Sequence, residues 1–145
     1  MNGEALARAC ADAMWAEDRA SRGLGMALLE VGRGRAVVAM QITDVMVNGH
    51  GLCHGGFIFT LADSAFAFAC NTYDQRTVAQ HCAVTFLRAG KLGERLVATA
   101  VERSRSGRSG IYDVTVARED GTVIAEFRGN SRTIDGTLLP PRRQE

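Results

Sequence analysis

The sequence predicts an α+β domain in which a curled, largely antiparallel sheet of about six strands wraps around one long central helix. Three observations carry this expectation. Residues 54–71 read as a helix that is apolar on every side, the pattern of a helix buried in a core. Alternating segments of strand length cluster after it. The connections Ser106-Gly107-Arg108-Ser109-Gly110 and Asp120-Gly121 suit antiparallel neighbours. Strands gathered late in the chain favour α+β over a doubly wound fold. A helix that is apolar all round must be covered on all sides, so the sheet is expected to curl.

Residues 5–20 space Leu6, Ala9, Cys10, Ala13 and Met14 for one apolar helical face, a short leading helix. Gly23 and Gly25 punctuate, and residues 26–31 and 35–43 form a hairpin about Gly32-Arg33-Gly34. A polar, Gly-rich loop containing Asn48-Gly49-His50-Gly51 leads into the central helix; such loops often carry function. Strands are then expected at 77–87, 94–105, 111–119 and 123–134. Residues 1–135 read as one domain, and 136–145, with Pro140-Pro141-Arg142-Arg143, as a flexible tail.

The 145 residues carry 23% charged and 46% hydrophobic side chains and a net charge of +1, the balance of an ordinary globular protein. That balance argues against a nucleic-acid partner. The apolar runs are shorter than a membrane span, and Glu4 and Arg8 interrupt any secretory signal, so a cytoplasmic protein without a membrane segment is expected. Cys10, Cys53, Cys70 and Cys82 show no close paired spacing and read as buried thiols rather than zinc ligands; no metal site is expected.

The central helix carries one carboxylate, Asp63. Asp is a poor helix-interior residue, and a charge withdrawn from water costs several kcal/mol unless paired. Two readings stand: a satisfied structural carboxylate, or a nucleophile or general base in an apolar pocket. Gly55 and Gly56 stand where the first helical N–H groups lack partners and the dipole is positive. They either make a tight turn or hold a developing oxyanion. Asp63 lies eight positions beyond Gly55, roughly 12 Å along a helix. One substrate carbonyl cannot touch both within a chain. If they act together, the second comes from another copy, in a twofold dimer. His54 and Asn48 flank the helix start, each with an ordinary structural role open to it.

Asn48-Gly49-His50, Cys53-His54-Gly55-Gly56 and Leu61-Ala62-Asp63-Ser64-Ala65-Phe66-Ala67 together resemble the hot-dog-fold acyl-CoA thioesterases, most closely those of the PaaI type associated with phenylacetate degradation. The resemblance extends to Phe86-Leu87-Arg88-Ala89-Gly90, Gly110-Ile111-Tyr112-Asp113 and Phe127-Arg128-Gly129-Asn130-Ser131. It implies a homodimer with shared sites, paired into a homotetramer, and hydrolysis of aryl-acetyl-CoA thioesters such as hydroxyphenylacetyl-CoA. It implies Asp63 as nucleophile or general base, the Gly55 N–H as oxyanion contact, and Asn48 and His54 of the other chain orienting thioester or water. No cofactor is implied; coenzyme A belongs to the substrate. A hydroxyl residue that helps position water in related enzymes has no clear match in residues 77–81, where Gln80 and His81 are the substitutes on offer. An enoyl-thioester hydratase using His54 as base, and a non-catalytic acyl-CoA-binding module, are the alternatives.

The phosphates of coenzyme A call for Arg, Lys or backbone N–H groups. Arg88 and Lys91 at one strand end, and Arg103, Arg105, Ser106, Gly107 and Arg108 about a turn, are the candidates, with Arg105 to Arg108 favoured as a group.

Overall fold

The computed structural model describes residues 1–141. Helix α1 (Gly3–Glu17) starts at Asn2, whose Oδ1 accepts the Ala5 N–H at 2.8 Å, and it buries Ala7, Cys10 and Ala11. The leading helix was expected to run on to residue 20, but Asp18 interrupts it. Its carboxylate accepts the Ser21 N–H at 2.9 Å and starts α2 (Arg19–Gly23). Asp is more stable as an N-cap than inside a helix, so it divides one helix into two.

Six strands follow: β1 (Ala27–Gly32), β2 (Arg35–Gln41), β3 (Thr77–Phe86), β4 (Arg95–Ser106), β5 (Ser109–Arg118) and β6 (Val123–Thr133). All pairings are antiparallel, in the order β1-β2-β4-β5-β6-β3. The β1–β2 hairpin and the β4–β5–β6 meander are those that the turn residues predict. The place of β3 is not. After β2 the chain passes through a 3-10 turn (Asp44–Met46), crosses the sheet as α3 (Gly55–Cys70) and returns as β3 on the far edge, beside β6.

Register breaks interrupt the β1–β2, β3–β6, β4–β5 and β5–β6 ladders. Each extra residue bends its strand and strengthens the local twist, and together they curl the sheet around α3. The concave face buries Ile58, Leu61, Ala62, Ala65, Phe66 and Phe68 of α3. Phe66 packs on Tyr112 and Phe127, with ring centroids 5.6 and 5.8 Å away. Gly129 lies beneath the same ring, where a Cβ would come within 2.7 Å of Phe66 Cζ, so only glycine lets the helix sit this close. Phe57 and Phe59 are half-buried at the margin of the core.

The two sheet edges differ. Short β1 is bulged, and α1 packs against it. The ten-residue β3 is exposed along most of its length, with Val78 and Phe86 45% and 49% accessible. A long edge with unpaired N–H and C=O groups is a template for another strand.

The first residues after β6 and its following turn make hydrogen bonds back to the domain. Asp74 Oδ1 accepts the N–H groups of Leu138 and Leu139 at 3.0 and 2.9 Å, and Arg76 N–H donates to the Gly136 carbonyl at 3.1 Å. Leu138 comes to rest beside Met14 of α1. The pinning turn, with Asp74 at φ +55°, is nonlocal and leaves no mark in the tail's composition. Residues 142–145 lie outside the described part. No described helix is long and apolar enough to cross a membrane.

Candidate active site

The loop before α3 is built by its own backbone and by one side chain. Asn48 Oδ1 accepts the N–H groups of His50 at 2.9 Å and Leu52 at 3.3 Å, which folds residues 48–52 into a turn with Gly51 at φ +74°. Asn48 Nδ2 has no protein partner among the described residues. The Cys53 N–H donates to Gly90 O and the His54 N–H to Met46 O, both at 2.8 Å, fixing where the helix starts.

His54 is the N-cap of α3. Its Nδ1 accepts the Gly56 N–H at 2.9 Å, and its carbonyl accepts the Phe57 N–H at 3.0 Å. An Nδ1 that accepts leaves the proton of the neutral ring on Nε2, and the residue is exposed. With Gly56 and Phe57 engaged, the Gly55 N–H is the donor of the first turn that meets no acceptor among the described residues. It opens on a groove of about 400 Å³ shared with Asn48, Leu52, Ile58, Phe86 and Arg88. Phe86 Cζ lies 2.9 Å from where a Gly55 Cβ would be, so a ring of β3 forms one wall. The groove therefore combines an orphan donor at the positive end of a helix with apolar walls.

Asp63 lies elsewhere. It shares a stripe of α3 with Gly56, Thr60 and Ala67, spaced by four, three and four residues, which the chain's own sheet leaves partly uncovered. Thr60 Oγ1 donates to the Gly56 carbonyl at 2.8 Å. The Asp63 carboxylate is half-buried and receives no hydrogen bond among the described residues. Loss of hydration raises its pKa above the ordinary carboxylate value. Its charge in turn helps to raise the pKa of the Cys70 and Cys82 thiols, after their own burial. Ser64 ties α3 to α2, because its hydroxyl meets Ser21 Oγ at 2.8 Å and Ser21 Oγ donates to Asp18 at 2.7 Å.

Of the residues singled out from sequence, Asn48, His54, Gly55 and Arg88 thus gather at the start of α3, and Asp63 stands two turns away. Arg88 Nη1 donates to the Val123 carbonyl at 2.8 Å, which anchors it at the groove. The turn formed by Ser106, Gly107 and Arg108 lies at the opposite end, beside Cys70. There Arg105 stacks its guanidinium 3.6 Å above the Tyr73 ring and donates to Gln75 Oε1 at 3.3 Å. Gln80 is the extra residue of the β3 bulge, and both it and His81 are exposed. Sequence reasoning did not single out Phe86 as a groove wall or Tyr73 as an arginine platform. The first had a signal, its place at the end of an apolar strand before Arg88-Ala89-Gly90; the second had none. Among the described residues no three His, Cys, Asp or Glu side chains converge as a metal site would need.

The sequence profile of the Thioesterase superfamily matches residues 50–125, which span α3, β3, β4, β5 and the start of β6. The acyl-coenzyme A thioesterase PaaI of Escherichia coli strain K12 is 42% identical over 128 residues, 88% of this chain and 91% of that protein. A putative esterase of Archaeoglobus fulgidus is 34% identical over 129 residues, 89% of this chain and 84% of its own. The solved structure of the E. coli PaaI protein, from the phenylacetic acid degradation operon, superposes with a TM-score of 0.92 at 40% identity, covering 94% of this chain and 99% of that one. A mutant of the phenylacetic acid degradation protein PaaI of Thermus thermophilus gives 0.78 at 38% identity, covering 81% and 100%. With its six-stranded antiparallel sheet curled about α3, the chain belongs to the thioesterase superfamily, as a hot-dog-fold thioester hydrolase of the PaaI type.

Proposed function

We propose that the protein hydrolyses aryl-acetyl-CoA thioesters, hydroxyphenylacetyl-CoA and related phenylacetate intermediates among them, in the cytoplasm, at two sites shared across a homodimer. The observation that carries this reading is the separation on α3. The orphan Gly55 N–H and the unpaired Asp63 carboxylate are each suited to a part of thioester hydrolysis, yet two helical turns divide them.

In the proposed site the thioester carbonyl oxygen rests on the Gly55 N–H, where negative charge develops in the transition state. Asp63 of the partner subunit then attacks the carbonyl carbon, or takes a proton from a water that attacks it. The C–S bond breaks as the tetrahedral intermediate collapses, and coenzyme A leaves as thiolate and takes up a proton. By the covalent route, water afterwards cleaves the aspartyl anhydride. Both routes consume one water and give the free acid and the thiol. Asn48 Nδ2 at the groove, and His54 Nε2 on the exposed cap next to Gly55, are the proposed donors for orienting thioester or water. Every step uses the chain's own groups and water.

The exposed β3 edge supports the dimer, because pairing two copies of β3 would satisfy its free backbone groups and bring the open stripe of α3 toward its counterpart. Pairing of two such dimers is our reading of the quaternary structure. The partner's Arg105 to Arg108 turn, beyond its Asp63 along α3, and Arg88 at the groove are the proposed contacts for the coenzyme A phosphates. The apolar walls and the half-buried Phe57 and Phe59 suit an aromatic acyl group.

Two experiments test this. Thiol release measured across a panel of acyl-CoAs is expected to peak at hydroxyphenylacetyl-CoA or a close aryl-acetyl relative; a clear preference for straight-chain substrates removes the acyl assignment. Mixing refolded Asp63→Asn and Asn48→Ala subunits tests the shared site. Half of the random dimers are heterodimers, and each of these restores one intact site, so about a quarter of wild-type turnover returns. No recovery beyond the sum of the parents would place each site within one chain.

A further inference from the structure

The end of α3 remote from the groove carries a side-chain assembly that the hydrolytic step leaves unused. Glu102 Oε1 accepts hydrogen bonds from two phenols, Tyr73 Oη at 2.9 Å and Tyr112 Oη at 2.8 Å. Tyr112 is fully buried, so its ring fixes the position of Glu102, and Glu102 in turn fixes the hydroxyl of Tyr73. Tyr73, half-buried just beyond α3, presents its ring face to the Arg105 guanidinium at 3.6 Å. Gln75 Oε1 takes one guanidinium proton at 3.3 Å. A long, exposed arginine is thus held on a rigid platform instead of sampling its rotamers.

The platform adjoins a small polar niche with room for about one water, lined by Thr77, Ser131 and Thr133 along with Tyr73 and Arg105. Ser131 is 4% accessible and its hydroxyl finds no partner among the described residues. The niche is too small for a phosphate. Any anion held by Arg105 therefore binds outside the niche, at the exposed in-plane N–H edge of the guanidinium, whose face rests on Tyr73. Preorganisation of this kind lowers the entropy lost when a flexible side chain captures a ligand.

We infer that Tyr73, anchored by Glu102 and Tyr112, is a positioning residue that presets Arg105 for a phosphate of the coenzyme A moiety. It acts on recognition of the nucleotide part of the substrate, remote from the acyl carbon. The inference rests on the proposed role of Arg105, and the experiment separates the two. The substrates are one aryl-acetyl group carried on coenzyme A and the same group carried on pantetheine, which lacks the diphosphate, the 3′-phosphate and the adenosine. The readout is the ratio of kcat/KM for the two.

Tyr73→Leu is expected to lower that ratio about fivefold, through KM rather than kcat, as loss of a surface cation–π contact implies. Tyr73→Trp, which keeps an aromatic face, is expected to restore most of it. In an Arg105→Ala background Tyr73→Leu should lower the ratio no further, because the platform then has nothing to hold. If Arg105→Ala leaves the ratio at its wild-type value, the phosphate role of Arg105 fails. If Arg105→Ala lowers it while Tyr73→Leu does not, Arg105 binds phosphate without the platform and the inference is overturned. Should Tyr73→Leu fold poorly, Tyr73→Trp and Tyr73→Phe decide instead. Both keep a ring face but lose the hydroxyl that donates to Glu102, so a partial loss, smaller than that of Arg105→Ala, is expected in each; a loss in both as large as that of Arg105→Ala would overturn the inference.

Discussion

The first turn of α3 and its middle turn belong to one helix yet are prepared for opposite charges. At the first turn a histidine cap satisfies Gly56 and leaves the Gly55 N–H unclaimed, at the positive end of a helix and beside an apolar groove. In the middle turn a carboxylate stands half-buried with no hydrogen bond and a raised pKa. Both are liabilities for stability. An unmet donor and an unpaired carboxylate each make folding less favourable, and a core helix selected for stability alone would carry neither. Their coexistence, two turns apart, supports the proposed site in which each is one half and two chains complete it.

Removing the charged half should have the largest effect. Asp63→Asn is expected to lower thiol release by about 10² to 10⁴, the range for loss of a positioned base, while the fold and the dimer persist. The same change should raise Tm at neutral pH. With a folded pKa above the unfolded value, Asp63 binds its proton more tightly in the native state, so stability falls as pH rises through that window. The gain in Tm from Asp63→Asn should therefore vanish below about pH 4, where both states hold the proton. Calorimetry of the two proteins across pH checks the sign, and an unchanged Tm at pH 7 would mean that Asp63 is satisfied across the interface. For the same reason the acid limb of kcat/KM in the wild type should lie above the usual carboxylate range.

Separating the two halves without touching either comes next. Val78→Glu combined with Ala83→Glu charges the exposed β3 edge. It is expected to yield monomers by light scattering and to lower specific activity at least tenfold at low concentration, with recovery as the protein is concentrated. A monomer that keeps full activity would place both halves in one chain.

Changes at the first turn should be milder. Gly55→Ala retains the N–H but sets a Cβ 2.9 Å from Phe86 Cζ, so the ring must move. A displaced wall shifts the thioester, and about a tenfold fall in kcat/KM is expected, with Phe86→Ala in the same chain relieving part of it. His54→Ala removes the cap of α3, worth about 1 kcal/mol, and should lower Tm by about 4 °C. If Nε2 also orients substrate, kcat falls as well; if turnover is unchanged, His54 is a cap alone.

Much of this was legible in the residues. Apolar periodicity located α3 and the six strands to within a few residues, because burial imposes a period of 2 or 3.6 on any half-covered element. The helical rise placed Gly55 and Asp63 too far apart for one carbonyl, a conclusion that needs no tertiary information. The division at Asp18 was misjudged because capping competes with helix propagation through hydrogen bonds that spacing does not register. The hydrogen bonds that Leu138 and Leu139 donate to Asp74 could not be read from the tail, because that carboxylate comes from more than sixty residues away.

Local chemistry in the sequence therefore determined the elements, the buried helix with its single carboxylate, and the glycine start with its histidine and asparagine. Only the tertiary structure decided that β3 crosses to the far edge and stays open, that Phe86 walls the Gly55 groove, and that Tyr73 and Glu102 hold Arg105 at the other end of the helix. The physical reason is range. Periodicity and capping act within about one helical turn of the chain, whereas strand order and ring-on-guanidinium contacts are set by which surfaces meet once the sheet has curled.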